Sequence, residues 1–416
     1  MNETSVEYKT IDNINHVRYK NIYYINNNFY CLTTEDILIK PVKTLGGPEH
    51  SGRIEEKHYE LNPIIQKFRT TSELNEFVNS YDIKNINNVS TYLSHYYDHN
   101  IAHSLYDALY PIYLAYLNFY RLNPDNNFNI FINLLFVPGW TFPGHASRDW
   151  VLKIFQKFCK GEFIIRNDKT QNLKFEILLS GSEYAGIASV NKNAIMPGKL
   201  GNTLEFFRDR FFKVYNIPEK PIVDKINILI IDSRRYSSKE RNILQKINKQ
   251  LIKNGHQSNY ISWVDYKNFE DQLRLMSNCD IHISGAGTSM MNFPFLNDSK
   301  IHINLGVSKM FKDPALLEVN SCLLSNNIYC DFYDIFTHKN IKYTEVMKMI
   351  NNNINNLNNK MNIKTKIPYY IKQWRELCET NSEMEDIIER MNGKKQPSLV
   401  AYRHPEMIIY HHYPYS

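Results

Sequence analysis

Ile226-Asn227-Ile228-Leu229-Ile230-Ile231-Asp232-Ser233-Arg234-Arg235 is the stretch whose reading decides the fold. The Ile/Leu run at 226–231 has the length of a strand and is too short for a buried helix. A strand apolar on both faces belongs in a parallel sheet covered by helices on two sides. The run stops on four polar residues at its carboxyl end. The alternation then repeats. Lys239–Asn254 has helical apolar spacing and ends at Gly255. Asn259–Val264 reads as a strand, Phe269–Ser277 as a helix, Asp280–Ser284 as a strand, Ser289–Leu296 as a helix and Lys300–Leu305 as a strand. This is the pattern of an α/β fold.

Toward the N-terminus the same reading gives a second α/β region. Residues 1–65 read as an irregular β-rich edge broken by Gly46-Gly47-Pro48. Thr71-Ser72-Glu73-Leu74 opens a capped helix over 71–80. Between 100 and 120, Ile101, Leu105, Leu109, Ile112 and Tyr116 recur at helical spacing, with Pro111 expected to kink the run. Asn129–Val137 is a buried strand, Trp150–Phe158 a helix and Phe175–Leu179 a further strand. Tyr215–Asp224 holds two prolines in a polar setting and reads as a linker. A chain of 416 residues exceeds one ordinary core. The expected division is an N-terminal Rossmann-like domain at 1–217, a second domain at 218–345 and a helical tail at 346–416.

Composition excludes several classes. The net charge of +6 is not gathered into a basic stripe, which argues against nucleic acid as a partner. The six cysteines form no CxxC pair, so zinc ribbons and thioredoxin-like redox motifs are not expected; Cys159, Cys279, Cys322 and Cys330 read as small buried hydrophobes. The polar Met1–Thr10 start leads into no apolar segment, and no run approaches 18 apolar residues. The expectation is a soluble, cytoplasmic chain without a signal peptide or transmembrane helix. Oligomeric state is not legible.

Three constellations can carry chemistry. Ser284-Gly285-Ala286-Gly287-Thr288-Ser289 follows a strand and precedes an expected helix. Glycine amides, a helix N-terminus and the Thr288 and Ser289 hydroxyls suit phosphate oxygens, and a tight structural turn is the alternative. Asp232-Ser233-Arg234-Arg235, with Arg241 nine residues after Asp232, ends a strand where open α/β sheets bind ligands. An arginine fork there can grip a diphosphate. Asn100-x-x-His103-x-x-x-Asp107 sets His103 and Asp107 one helical turn apart, an arrangement suited to general-base work or to a structural pair. His95, His99 and His103 could extend this as a metal-binding stripe on a helix, but the helix is expected to begin only near Asn100, and no metal is assigned. Glu318 is a lesser candidate for a ribose contact. The chain contains no Asp-x-Asp, so amides and arginines would have to take a metal's place at a diphosphate.

In this order the motifs resemble the family 61 glycosyltransferases (DUF563-type), nearest the protein O-mannose β-1,4-N-acetylglucosaminyltransferase branch. Asn100-x-x-His103-x-x-x-Asp107-x-Leu109-x-Pro111 resembles one family helix. The Ser233-Arg234 segment with Arg241 resembles a second motif. Gln272-x-Arg274-Leu275-x-Ser277, then Gly285-Ala286-Gly287 and Asn292, resembles a third. The resemblance spans roughly 90–305. It departs at Ser284, where the family has His. It implies a GT-B fold of two facing Rossmann-like domains with C-terminal helices crossing back. It also implies an inverting, metal-independent transfer from a UDP-sugar (GlcNAc or xylose) to a glycan or glycoprotein acceptor. The nucleotide sugar is then a co-substrate and no cofactor is required. Asp107 or His103 would be the base; Asn100, Gly285–Ser289, Arg234, Arg235, Arg241 and Glu318 are the binding candidates. The Ser284 departure leaves open a degenerate, non-catalytic glycan- or nucleotide-binding protein of the same fold.

Overall fold

The computed structural model describes residues 2–11, 14–44, 60–95, 100–120, 126–135, 148–167, 169–181, 203–218, 225–233, 235–285, 292–306, 328–333, 338 and 340–359. The chain divides into two units, Met1–Val214 and Tyr215–Ser416, a boundary that falls at the start of the expected linker.

The first unit is built on a mixed sheet. Its strands are β1 (Ser5–Ile11), β2 (Ile14–Ile25), β3 (Asn28–Thr33), β6 (Ile64–Lys67), β7 (Ile83–His95), β8 (Phe128–Leu134), β9 (Lys160–Ile165) and β10 (Asn172–Ser180), in the order β6-β3-β2-β10-β7-β8-β9 with β1 on β2. A two-stranded pair, β4 (Val42–Lys43) and β5 (Glu60–Leu61), lies apart. The segment read as an irregular edge is therefore part of the main sheet: β2 pairs along β10 and lies inside it. Asn26 and Asn27 both take positive φ and turn β2 into β3 in two residues, the backbone that a tight hairpin requires. The run β10-β7-β8-β9 is parallel, as is the β3-β6 pair at the other end, while β1, β3 and β10 pair antiparallel with β2, so the sheet of this unit is mixed.

Helix α1 (Thr71–Asn79) starts where Thr70 accepts a hydrogen bond from the Glu73 amide. Helix α2 runs from 101 to 120 and is buried on every face from Ala102 to Leu117, which suits a helix packed inside the unit. It contains a π-helical turn, Ser104–Leu109, before Pro111. The proline has no N–H for the Asp107 carbonyl, and its ring would strike that carbonyl in a regular helix. Widening the preceding turn, with the Tyr110 amide donating to the Leu105 carbonyl, accommodates both. Helices α3 (Arg148–Cys159) and α4 (Thr203–Val214) complete the unit around Phe158, Phe207 and Phe211.

The second unit is a five-stranded, all-parallel sheet: β11 (Asn227–Ile231), β12 (Gln257–Ile261), β13 (Ile281–Ser284), β14 (Ile301–Asn304) and β15 (Tyr329–Phe332), ordered β12-β11-β13-β14-β15. In chain order this is 2-1-3-4-5, a doubly wound arrangement. Ile228, Ile230, Ile281, Ile283, Ile301 and Ile303 form one face. Against it pack Leu244, Ile247 and Leu251 of α5 (Ser238–Lys253) and Val346, Ile350 and Ile354 of α7 (Tyr343–Asn358). Residues 346–358 of the expected tail thus belong to this unit's core; 361–416 lie outside the described residues. Helix α6 (Phe269–Asn278) links β12 to β13. Two expectations shift. The strand expected over Asn259–Val264 stops at Ile261, and Trp263–Asp265 is a 3-10 turn. The helix expected over Ser289–Leu296 is, where described, only the 3-10 turn Phe293–Phe295, because Pro294 cannot continue a helix begun at 289.

Candidate functional site

In a 2-1-3-4-5 sheet the first crossover leaves β11 toward β12, and the later ones step from β13 toward β14. The carboxyl ends of β11 and β13 therefore flank the switch point, where such sheets bind ligands. Two sequence motifs some fifty residues apart meet there: Asp232-Ser233 leaves β11, and Ser284-Gly285 leaves β13 on the neighbouring strand.

The β11 loop is held from within. The Asp232 amide donates to the Ile261 carbonyl, and the Arg235 amide to Ser233 Oγ. Arg241 Nε reaches Asp232 Oδ1 at 3.1 Å, and its Nη2 donates to the Ser233 carbonyl at 3.0 Å. Arg241 is thus engaged in fixing the loop and is not extended toward a ligand as expected. Arg235 is part-exposed on the same loop. Ser237 then caps α5 in a reciprocal capping box with Glu240.

Ser284 and Gly285 are buried. A Cβ on Gly285 would stand 2.7 Å from the Tyr236 hydroxyl and 2.9 Å from its ring, so glycine is required for the approach of Tyr236. The expected direct contact of Gly285 with a phosphate gives way to this packing role. Ser284 Oγ is buried and has no hydrogen-bond partner among the described residues. Ala286, Gly287, Thr288, Ser289, Arg234 and Glu318 lie outside the described residues. Gln272 and Asn292 do come together: Asn292 Nδ2 donates to Gln272 Oε1 at 3.2 Å, and Gln272 Nε2 donates to the Tyr266 carbonyl at 2.9 Å. This ties the turn after β12 to the segment after β13.

In the first unit, the start of α2 follows the carboxyl end of β7. Asn100 is its N-cap, accepting from the Ala102 amide at 3.1 Å. His103 Nδ1 and Asp107 Oδ2 are 2.5 Å apart, with both side chains nearly buried. Asp107 thereby fixes the orientation of the imidazole through Nδ1. His95 is on β7, not on the helix, so the three-histidine stripe does not form. His95 Nε2 meets Ser104 Oγ at 3.0 Å, and its ring stacks on Phe155. Among the described residues no cluster of three His, Cys, Asp or Glu is placed to hold a metal.

Sequence reading passed over two features. One is the His95–Ser104 contact, whose partners sit on different elements. The other is a buried pair on adjacent strands: His282 Nδ1 lies 2.9 Å from His302 Nδ1.

No protein-family model matches the chain, and no curated protein matches it. Among solved structures it is similar to a mutant flavo di-iron protein from Thermotoga maritima at 9% identity and a TM-score of 0.25, over 81% of this chain and 88% of that one. A likeness that loose transfers neither fold nor function. Among the described residues no helix is long and apolar enough to cross a membrane.

Proposed function

We propose that the chain is an inverting, metal-independent glycosyltransferase of GT-B type that moves a sugar from a UDP-sugar to a glycan or glycoprotein acceptor. The carrying observation is the convergence of the Asp232-Ser233 and Ser284-Gly285 segments at the switch point of a parallel sheet. The His103–Asp107 pair supplies the base. In the proposed step the acceptor hydroxyl oxygen bonds to the anomeric carbon while the bond from that carbon to the diphosphate oxygen breaks. The hydroxyl proton goes to the His103–Asp107 pair, and the electron pair leaves with the nucleoside diphosphate. Asp107, the less exposed partner, orients the imidazole and stabilises its protonated form, as a buried carboxylate beside a catalytic histidine does. Arg235, with Arg234, offsets charge on the departing diphosphate.

The test is release of UDP from UDP-GlcNAc and UDP-xylose, with and without glycan acceptors. His103→Ala should lower turnover by about 10²–10⁴-fold with UDP binding unchanged, and Asp107→Asn should lower it as well. Full activity in both variants removes this helix from the chemistry.

The second reading is a non-catalytic binder of the same fold. Burial of Ser284, at the position where the resembling family has His, favours it. UDP that binds the wild-type chain with no donor turnover would decide for this reading.

A further inference from the structure

Helices α5 and α7 lie side by side on the isoleucine face of the second unit's sheet. Helix α5 buries Leu244, Ile247 and Leu251 and turns its other side outward. Lys239, Lys246, Lys249 and Lys253 are all exposed there. At about 100° per residue they fall within an arc of about 80° and form a stripe about 21 Å long. The expectation that no basic stripe forms therefore fails, because helical spacing gathers lysines that the sequence keeps apart. On α7, Lys348 is exposed nearly opposite buried Val346 and Ile350, and Lys342 is exposed at the N-cap. Lys246 Nζ stands 5.0 Å from the centre of the Tyr343 ring and joins the two helices. Their acids are Glu240, buried in the capping box, and Glu345, half-buried. Among the described residues no ion pair joins any of these lysines to a carboxylate; the pairs of this unit include Arg241–Asp232, Arg274–Glu270 and Lys300–Asp280. Ile252, 52% exposed, flanks the stripe about 60° around the helix from Lys249.

We propose that this α5/α7 face docks on the surface of an anionic lipid bilayer. Lys246 and Lys249 are three residues apart and Lys249 and Lys253 four, and like charges at those spacings weaken a helix. The face carries that repulsion with no acid interleaved, and a layer of anionic headgroups offsets it. Lysine suits such a layer, because its ammonium is a compact point charge and its stem lies along apolar surface. Nucleic acid draws on arginine forks and open aromatic rings. Among the described residues this face offers neither: Arg241 is engaged with Asp232 and the Ser233 carbonyl, and Lys246 covers the Tyr343 ring. Ile252 gains nothing from a phosphodiester backbone, whereas it enters a headgroup layer. The attraction is surface electrostatics, roughly five-fold in affinity per lysine, and it fades over about 8–10 Å at physiological salt.

Co-sedimentation of the full chain with vesicles tests this, and it needs neither donor nor acceptor, so it reads independently of sugar transfer. Vesicles of phosphatidylcholine with about 30% phosphatidylserine should bind the wild-type chain, and pure phosphatidylcholine should bind it at least about ten-fold more weakly. Raising the salt from about 0.1 to about 0.5 M should release most of the bound chain. The triple variant Lys246→Gln/Lys249→Gln/Lys253→Gln should lose about 100-fold in affinity, with Tm no lower than wild type because the repulsion is relieved. The same lysines changed to Arg should keep the binding, and Ile252→Gln should weaken it by about three-fold or more. A wild-type chain that ignores the anionic vesicles, or a triple Gln variant that binds like wild type, overturns the proposal. So does an equal loss in Lys20→Gln/Lys153→Gln/Lys169→Gln, exposed lysines of the first unit, since net charge alone would then account for the binding. Duplex DNA or RNA bound more tightly than the vesicles, and lost in the triple Gln variant, would assign the face to nucleic acid and overturn the lipid reading.

Discussion

At the residue scale the most constrained groups are buried. His302 Nδ1 lies within 3.3 Å of the His282 carbonyl as well as 2.9 Å from His282 Nδ1. A carbonyl only accepts, so the network assigns the proton to His302 Nδ1, with His282 Nδ1 accepting and His282 protonated at Nε2. A second proton would set two N–H groups face to face in a buried site. Burial accordingly pushes His302 down to about 3, and burial with the neighbouring His302 pushes His282 well below its usual range. In the unfolded chain both titrate near 6.5, so between about 6.5 and 3 the unfolded state binds protons that the folded state refuses. Stability is full above that window and falls with pH through it, by about 1.4 kcal/mol per histidine per pH unit at the steepest. A His282→Gln/His302→Gln double variant should show a shallower drop in Tm between pH 6.5 and 4 than wild type. Equal slopes would mean that this pair does not set the acid limb. Gly285 gives a second residue-scale prediction. Gly285→Ala should cost about 1–3 kcal/mol in denaturant unfolding, because its methyl meets Tyr236, and a Tyr236→Leu background should recover most of that.

At the element scale, local signals set helix ends reliably. Thr70 and Ser237 cap α1 and α5. Gly255 at φ +92° closes α5, with its own amide donating to the Ile252 carbonyl and the His256 amide to the Leu251 carbonyl. Ser237→Ala should lower stability by about 1 kcal/mol by removing one half of the capping box. An unchanged midpoint would show the cap to be redundant. Sequence also marked Pro111 as a disturbance in α2, and it could not say how the helix would absorb it. A kink and a widened turn both relieve the missing amide. With 102–117 buried all round, a wide turn keeps the helix packed along its length, where a sharp kink would pull one end away. The shortened Ser289–Leu296 helix has the opposite lesson. Pro294 limits the described part of that segment to the 3-10 turn Phe293–Phe295.

At the scale of the whole molecule, the chain divides at Val214/Tyr215, close to the division expected from the sequence at 217/218. Lys225 is exposed at the start of the second unit, so limited trypsin digestion should cut there first and leave two fragments of roughly half the mass each. Early cuts within β11–β13 would contradict the division. The mixed sheet of the first unit was less legible. Its antiparallel half pairs β2 with β10 across some 150 residues, and no local pattern encodes a partner that distant. The candidate site divides the same way. His103 and Asp107 are four residues apart on one helix and could be paired by counting. The meeting of Asp232 with Gly285, the Gln272–Asn292 tie and the His282–His302 contact depend on strand order.

By itself, then, the sequence determined that the architecture is α/β, where helices such as α1 and α5 are capped, and which helical pairs share a face, because propensity, capping and periodicity act over a few residues. The tertiary structure alone decided the 2-1-3-4-5 order, the joining of the β11 and β13 loops at one edge, and the contacts of Gly285 with Tyr236 and of Arg241 with Asp232. Strand pairing and burial are set by which distant apolar faces cover one another, and that choice is made only when the whole chain packs.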